Sequence, residues 1–215
     1  MKFKEVIYLI KTDLYRQKEG RISTGIFLRS LLSHAEFKYT FWMRLTGYLR
    51  EHKIYKYGPA HLANFILRHY QYKFGILIPS QTRIGSGFYI SHFGGIVVSA
   101  HTVIGKNVSI SPQVVIGRTT RGERQGNAVI GDNVYIGPGA KIIGKVKIGN
   151  NVAIGANCVV TKDVPDNAVV VGIPAEVISY HGAEGYIRCT DYDNYISRAK
   201  SLPAPPEKRE PGTPA

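Results

Sequence analysis

Through most of the stretch from Ile84 to Val160 a branched apolar residue recurs at every sixth position, often followed by glycine: Ile84, Ile90 and Ile96, then Ile104-Gly105, Ile110, Ile116-Gly117, and after an interruption Ile130-Gly131, Ile136-Gly137, Ile142, Ile148-Gly149, Ile154-Gly155 and Val160. The positions four further on are small or branched as well, as at Val108, Val114, Val134, Ala140, Val146, Val152 and Cys158. A period of six fits neither an amphipathic helix nor an alternating strand, but it suits a coil whose three short faces each contribute two residues. The expected fold is therefore a parallel β-helix solenoid, in which each inward side chain is buried by the coils above and below it. Glycine after the inward residue is expected to mark a corner whose backbone angles exclude a Cβ. A β-sandwich with strands in step is the alternative, and the phase held from Ile130 to Val160 opposes it.

The phase slips by two residues between Ile96 and Ile104, and RTTRGERQGNA, residues 118–128, interrupts it altogether. This polar insert, rich in Arg and Gly, is expected to project from one corner as a loop, a common place for substrate contacts on a rigid scaffold. Pro165 and Pro174 are expected to end the regular coils.

Residues 1–73 carry a different period. Val6, Leu9, Ile10 and Leu14 keep helical spacing, Ser23 or Thr24 caps a segment running to Leu32, and His61 to Tyr72 reads as a further helix. Between them, Phe37, Phe41, Trp42, Leu45, Tyr48 and Leu49 form an aromatic stripe on a helix over 35–52, with Tyr39 off that face. The stripe reads as packing against the other helices and the end of the solenoid. Its second reading is a basic amphipathic face at a membrane surface, with Arg44, Arg50, Lys53 and Lys56 beside it. The chain thus divides into an N-terminal helical domain (1–73), a solenoid (74–178) and a C-terminal extension (179–215) with a short helix near 192–199 and a Pro-rich tail expected to be disordered.

Composition narrows the function classes. A formal charge of +13 over 215 residues calls for an acidic partner. The basic residues are scattered and no nucleic-acid-binding motif is present, which sets nucleic acid aside. The two cysteines, Cys158 and Cys189, make no disulfide framework, in keeping with a reducing cytoplasm. No run approaches the roughly 18 apolar residues needed to span a bilayer, so a cytoplasmic protein is expected, at the inner membrane face if the stripe touches lipid. No cluster of His, Cys or carboxylates has metal-ligand spacing.

Three segments, TRIGSGFYISHFGGIVV, IGPGAKIIGKVKIGNNVAIGANCVVTKDVP and VVGIPA, resemble the hexapeptide-repeat acyltransferases, and among them the serine O-acetyltransferase branch. The resemblance covers residues 74–178. It implies a mainly β fold, a left-handed parallel β-helix behind an N-terminal α-helical domain. It also implies a homotrimer, which the helices could pair into a dimer of trimers, and acetyl-CoA as donor with no metal. The family's catalytic histidine falls on His92. Acetyl transfer needs a base for the attacking hydroxyl, and an imidazole titrates near working pH. The resemblance further places the donor's pantetheine arm on backbone amides near Gly137 and Ala156, and a CoA phosphate near Thr161 and Lys162. Glu176, where relatives often carry a basic residue, departs from the pattern. Cys158, inward, is expected to be a poor nucleophile.

Other departures concern the acceptor. A histidine-orienting Asp of the family becomes Leu77, the Asp preceding the histidine becomes Ser91, and an Arg-His pair becomes Gly126-Asn127. Buried charges require partners, and without those groups an amino-acid acceptor lacks its clamps. Arg118, Arg121 and Arg124 are candidate replacements for the carboxylate clamp. The reading favoured by the sequence is a sugar hydroxyl of a surface polysaccharide, bound by Ser91, Arg121, Gln125 and Asn127. Serine O-acetylation is the alternative activity, and a non-catalytic scaffold for polysaccharide synthesis is the alternative outside enzymes.

Overall fold

The computed structural model describes residues 2–52 and 58–201. Four helices precede the solenoid: α1 (Phe3–Gln17), α2 (Thr24–Ser33), α3 (Ala35–Glu51) and α4 (Pro59–Phe74). Ser23 caps α2 by accepting from the Ile26 amide at 3.1 Å. Pro59 opens α4 and Gly75 closes it in the left-handed region at φ 62°.

Helix α3 is packed on two sides, against the other helices and the solenoid as the stripe suggests, but the residues buried differ from those expected. Phe37 and Tyr48 join Val6, Ile10 and Leu14 in a cluster with α1. Tyr39 and Met43 belong instead to the core that runs on through the solenoid. Tyr39, expected off the packed face, is fully buried. Its hydroxyl donates to the Ile78 carbonyl and accepts from the Ile78 amide, both at 2.8 Å. Burial pushes that hydroxyl up to about 12, so it remains a donor. Arg44 is buried as well, so it contributes nothing to a membrane-facing basic surface. Lys53, Lys56 and the Pro-rich tail lie outside the described residues.

The solenoid has three parallel faces, its strands numbered along the chain. The first holds β1 (Ile76–Leu77), β4 (Ile96–Val98), β7 (Val115–Gly117), β10 (Lys141–Ile143) and β13 (Val159–Val160). The second holds β2 (Arg83–Ile84), β5 (Val103–Ile104), β8 (Val129–Ile130) and β11 (Lys147–Ile148). The third holds β3 (Tyr89–Ile90), β6 (Ser109–Ile110), β9 (Tyr135–Ile136), β12 (Ala153–Ile154) and β14 (Val169–Val171), closed by β15 (Glu176–Ser179). Strands stack in register, Ile136 on Ile154 and Ile142 on Val160, so the inward ladder is continuous and almost wholly buried.

The glycines after the inward residues have a different cause from the one expected. Gly85, Gly105, Gly131 and Gly149 are not in the left-handed region. They are small because coils touch there: a Cβ on Gly105 would lie 2.5 Å from the Gly131 carbonyl oxygen. The left-handed turns fall two residues later, at Gly87, Asn107, Asn133, Asn151 and Asn167, and asparagine tolerates this conformation because its amide bonds locally. Asn107 Nδ2 donates to Asn133 Oδ1 at 2.9 Å and Asn151 Nδ2 to Asn167 Oδ1 at 2.8 Å, forming a ladder along the edge between the second and third faces.

Two further expectations move. Ile90 pairs with Ile110 and Val98 with Ile116, so the step from Ile90 to Val98 is eight residues where the step from Ile110 to Ile116 above it is six. The two-residue slip therefore lies before Val98, in the corner that carries His92. Pro165 does not end the coils either, since Val164 bridges to Ile148 and β14 stacks in parallel on β12. Regular winding ends when β15 returns antiparallel to β14. The extension then folds back to α5 (Tyr192–Ser201). Its buried Tyr192 hydroxyl donates to Asn107 Oδ1 at 2.9 Å and lies 2.9 Å from Ser86 Oγ.

Candidate active site

His92 occupies the edge between the third and first faces, in the widened turn from β3 to β4. Gly94 at φ 115° and Gly95 at φ 67° make that turn, and the Gly94 carbonyl accepts from the Gln113 amide of the next coil at 2.8 Å. The extra residues push the corner outward and leave His92 exposed, while Ser91 stays half-buried with its amide bonded to Ile110. Among the described residues no carboxylate or hydroxyl bonds to His92. Leu77, the position from which the resemblance expects an orienting Asp, pairs with Val97 on the first face, both partly exposed.

Gly137 and Ala156 turn the same edge two and three coils further on, roughly 10 and 14 Å along the stack at one strand spacing per coil. Gly137 is buried and Ala156 is exposed. The remaining candidates sit on the next edge, between the first and second faces. Thr161 and Lys162 are exposed there. So is the 118–128 loop, which leans along the solenoid. Thr119 and Gly126 pair across its base, and the Arg124 carbonyl accepts from Lys145 at 2.8 Å. Arg124 Nη1 meets Asp163 Oδ1 at 2.9 Å. Asn127 holds the base, its Oδ1 accepting from Ser99 Oγ at 2.6 Å. Arg118, Arg121 and Gln125 are exposed. Within one chain, then, His92, Ser91, Gly137 and Ala156 share one edge, while Arg121, Gln125, Asn127, Thr161 and Lys162 share another, with the first face between them.

Sequence reasoning missed two features of the His92 edge. Lys141 Nζ donates to the carbonyls of Gln113 and Gly139 at 2.8 and 2.7 Å, tying two successive corners between His92 and Ala156. A lysine where the ladder otherwise places Val97, Val115 and Val159 was its signal. Phe93, half exposed, meets Phe74 with ring centroids 5.6 Å apart, and Phe74 stacks on Tyr70 at 5.2 Å, so α4 ends in an aromatic wall beside His92. Cys158 is fully buried and desolvation pushes its thiol up, away from the reactive thiolate. Among the described residues no three His, Cys, Asp or Glu side chains cluster as a metal site.

A stack of six-residue coils with a histidine on an opened corner defines a class. Residues 127–162 match the model of the bacterial transferase hexapeptide, six repeats, and the chain belongs to the hexapeptide-repeat transferase family. Within that family it is similar to serine acetyltransferases. It is 38% identical over 136 residues to that of Staphylococcus epidermidis, covering 63% of this chain and 64% of the relative. Among solved structures it superposes on the Neisseria gonorrhoeae enzyme in complex with serine, with a TM-score of 0.67, 30% identity and coverage of 82% of this chain and 70% of that one. It likewise superposes on the Brucella abortus enzyme in complex with coenzyme A, with a TM-score of 0.70, 30% identity and coverage of 84% and 70%. The chain thus spans just under two thirds of the length of the curated relatives it matches.

These relatives overturn the sugar reading, since they are serine acetyltransferases and one was solved with serine bound. The expectation rested on lost charges at Leu77, Ser91 and Gly126-Asn127. Leu77 lies on the first face, and Ser91 and Gly126-Asn127 on the two edges that flank it, so their loss within one chain does not define the composition of a closed acceptor pocket.

Proposed function

We propose that the protein is a cytoplasmic, acetyl-CoA-dependent serine O-acetyltransferase in which His92 is the general base. The observation that carries this reading is the exposed histidine on a corner widened by two residues, in a chain 38% identical to a serine acetyltransferase over 136 residues. The imidazole takes the proton of the serine hydroxyl as its oxygen attacks the thioester carbonyl carbon. The tetrahedral intermediate then collapses, the carbon–sulfur bond breaks, and the departing thiolate receives the proton from the imidazolium. Gly137 and Ala156 hold the pantetheine arm, and Thr161 with Lys162 meets the phosphates, Lys162 by charge-assisted contact.

We infer a homotrimer of left-handed prisms, in which the loop edge of one copy stands beside the His92 edge of the next. This arrangement closes the site that a single chain leaves divided. It brings exposed Arg118 and Arg121 to the serine carboxylate and Glu123 to its ammonium. Arg124, already paired with Asp163, is left to hold the loop.

The test is release of coenzyme A thiol from acetyl-CoA with L-serine as acceptor. Wild type is expected to turn over, and His92→Ala to lose a factor of about 10² to 10⁴ with donor binding intact. No serine-dependent release by wild type would overturn the acceptor assignment, and full turnover by His92→Ala would overturn the base.

A further inference from the structure

Among the described residues, one face of helix α4 is left without a partner. Its packed side is Ala60, Ala63, Leu67 and Phe74. On the opposite side, Leu62 is 63% exposed, Phe65 74% and Tyr72 80%. At about 100° per residue these three share one narrow arc with His69 at its centre, and Arg68 and Lys73 fall on the arc's two flanks. The helix, PAHLANFILRHYQYKF, contains no acidic residue.

Three large apolar groups left in water on one arc need a cover. The charge pattern says which kind. A second copy docking through the same helix would bring its own Arg68 and Lys73, with no acidic residue, against this face, and like charges oppose that pairing. An anionic lipid surface instead meets apolar side chains flanked by cations with matching chemistry on both counts, as interfacial amphipathic helices do. We propose that α4 docks this protein on anionic membrane surfaces, inserting Leu62, Phe65 and Tyr72 at the headgroup boundary with Arg68 and Lys73 against lipid phosphates. The helix ends at Phe74, in ring contact with Phe93, so docking holds the His92 corner at the membrane end of the molecule.

The experiment is flotation of the full chain with vesicles of phosphatidylcholine alone and of phosphatidylcholine mixed with phosphatidylglycerol. Wild type is expected to float with the anionic vesicles, to stay in solution with the neutral ones, and to detach as salt is raised. Phe65→Ser/Tyr72→Ser and, separately, Arg68→Gln/Lys73→Gln are each expected to weaken binding roughly tenfold or more, because insertion and charge both contribute. All four side chains are exposed, so unchanged circular dichroism and unchanged turnover with serine check that the variants fold. Failure of wild type to float, or wild-type binding by either double variant, overturns the proposal. So does a larger particle in light scattering that Phe65→Ser/Tyr72→Ser dissociates, since a second copy would then cover the face.

Discussion

Arg44 on α3 and Asp13 on α1 form a buried ion pair, Nε to Oδ2 at 3.0 Å, 31 residues apart in sequence and both almost sealed from solvent. The pair joins helices to solenoid. Arg44 also donates to the carbonyls of Ile84 and Gly85 at 2.5 and 2.6 Å, and Asp13 Oδ1 accepts from the Phe88 amide at 2.8 Å. Both side chains satisfy backbone groups of the first coil, which has no coil beneath it.

Arg44→Met is therefore expected to cost about 3–5 kcal/mol, because it leaves the Asp13 carboxylate buried without its cation. The double variant Arg44→Met/Asp13→Asn should recover part of that loss. Urea unfolding of the three proteins is the measurement, and a single-variant loss below about 1 kcal/mol, the size of a surface pair, would show that the pair does not hold this joint.

Gly105→Ala is expected to destabilise by about 1–3 kcal/mol, since the added methyl meets the Gly131 backbone of the next coil as well as the Asp132 carboxylate, and the backbone cannot swing aside. Gly25→Ala, at an α2 position whose nearest neighbour is Ser23 Oγ at 4.0 Å, should instead stabilise by about 0.5–1 kcal/mol through helix propensity. Thermal melts of the two variants should shift in opposite directions.

At Asn133 the backbone is left-handed at φ 57° and the side chain receives the Asn107 amide. Asn133→Gly keeps the backbone conformation and loses the bond, about 1 kcal/mol. Asn133→Ala adds the left-handed cost of about 1–2 kcal/mol. Calorimetry should rank wild type above the glycine variant and the glycine variant above alanine; the reverse order would mean that glycine's unfolded-state freedom outweighs the strain.

The Asp163 carboxyl lies below its ordinary 3.8, first because it accepts from the Lys147 amide at 3.0 Å and then because Arg124 sits beside it. A depressed acid stabilises the folded state above its unfolded value and ceases to as pH falls through its folded one. The tether of the 118–128 loop should hold from neutral pH down to about 3.8 and release below it. Hydrogen exchange at Gly122 to Gly126 across that range is the check. Asp163→Asn should be less protected than wild type at neutral pH and match it well below pH 3.8, and wild-type protection factors that do not change with pH would rule the tether out.

How much of this was legible beforehand differs by feature. The inward ladder, the polar loop and the candidate base at His92 could be named from spacing and motif alone. Tyr39 and Arg44 were misread because a helical wheel shows which residues share a face but not how many partners surround the helix. The widened corner was placed one strand too late because Ile96 and Val98 are both apolar and both buried, so either could carry the period. The glycine pattern was seen but assigned to backbone angle, whereas the contact that forbids a Cβ comes from a coil 26 residues on, Gly131 against Gly105.

By itself the sequence determined the solenoid, because a six-residue period repeated in one phase leaves the inward residues no other shared face on which to be buried. Only the tertiary structure decided which charges are structural, which edge each candidate residue occupies, and which apolar face of α4 remains uncovered. Those depend on contacts between segments tens of residues apart, such as Arg44 with the first coil, and no local period records them.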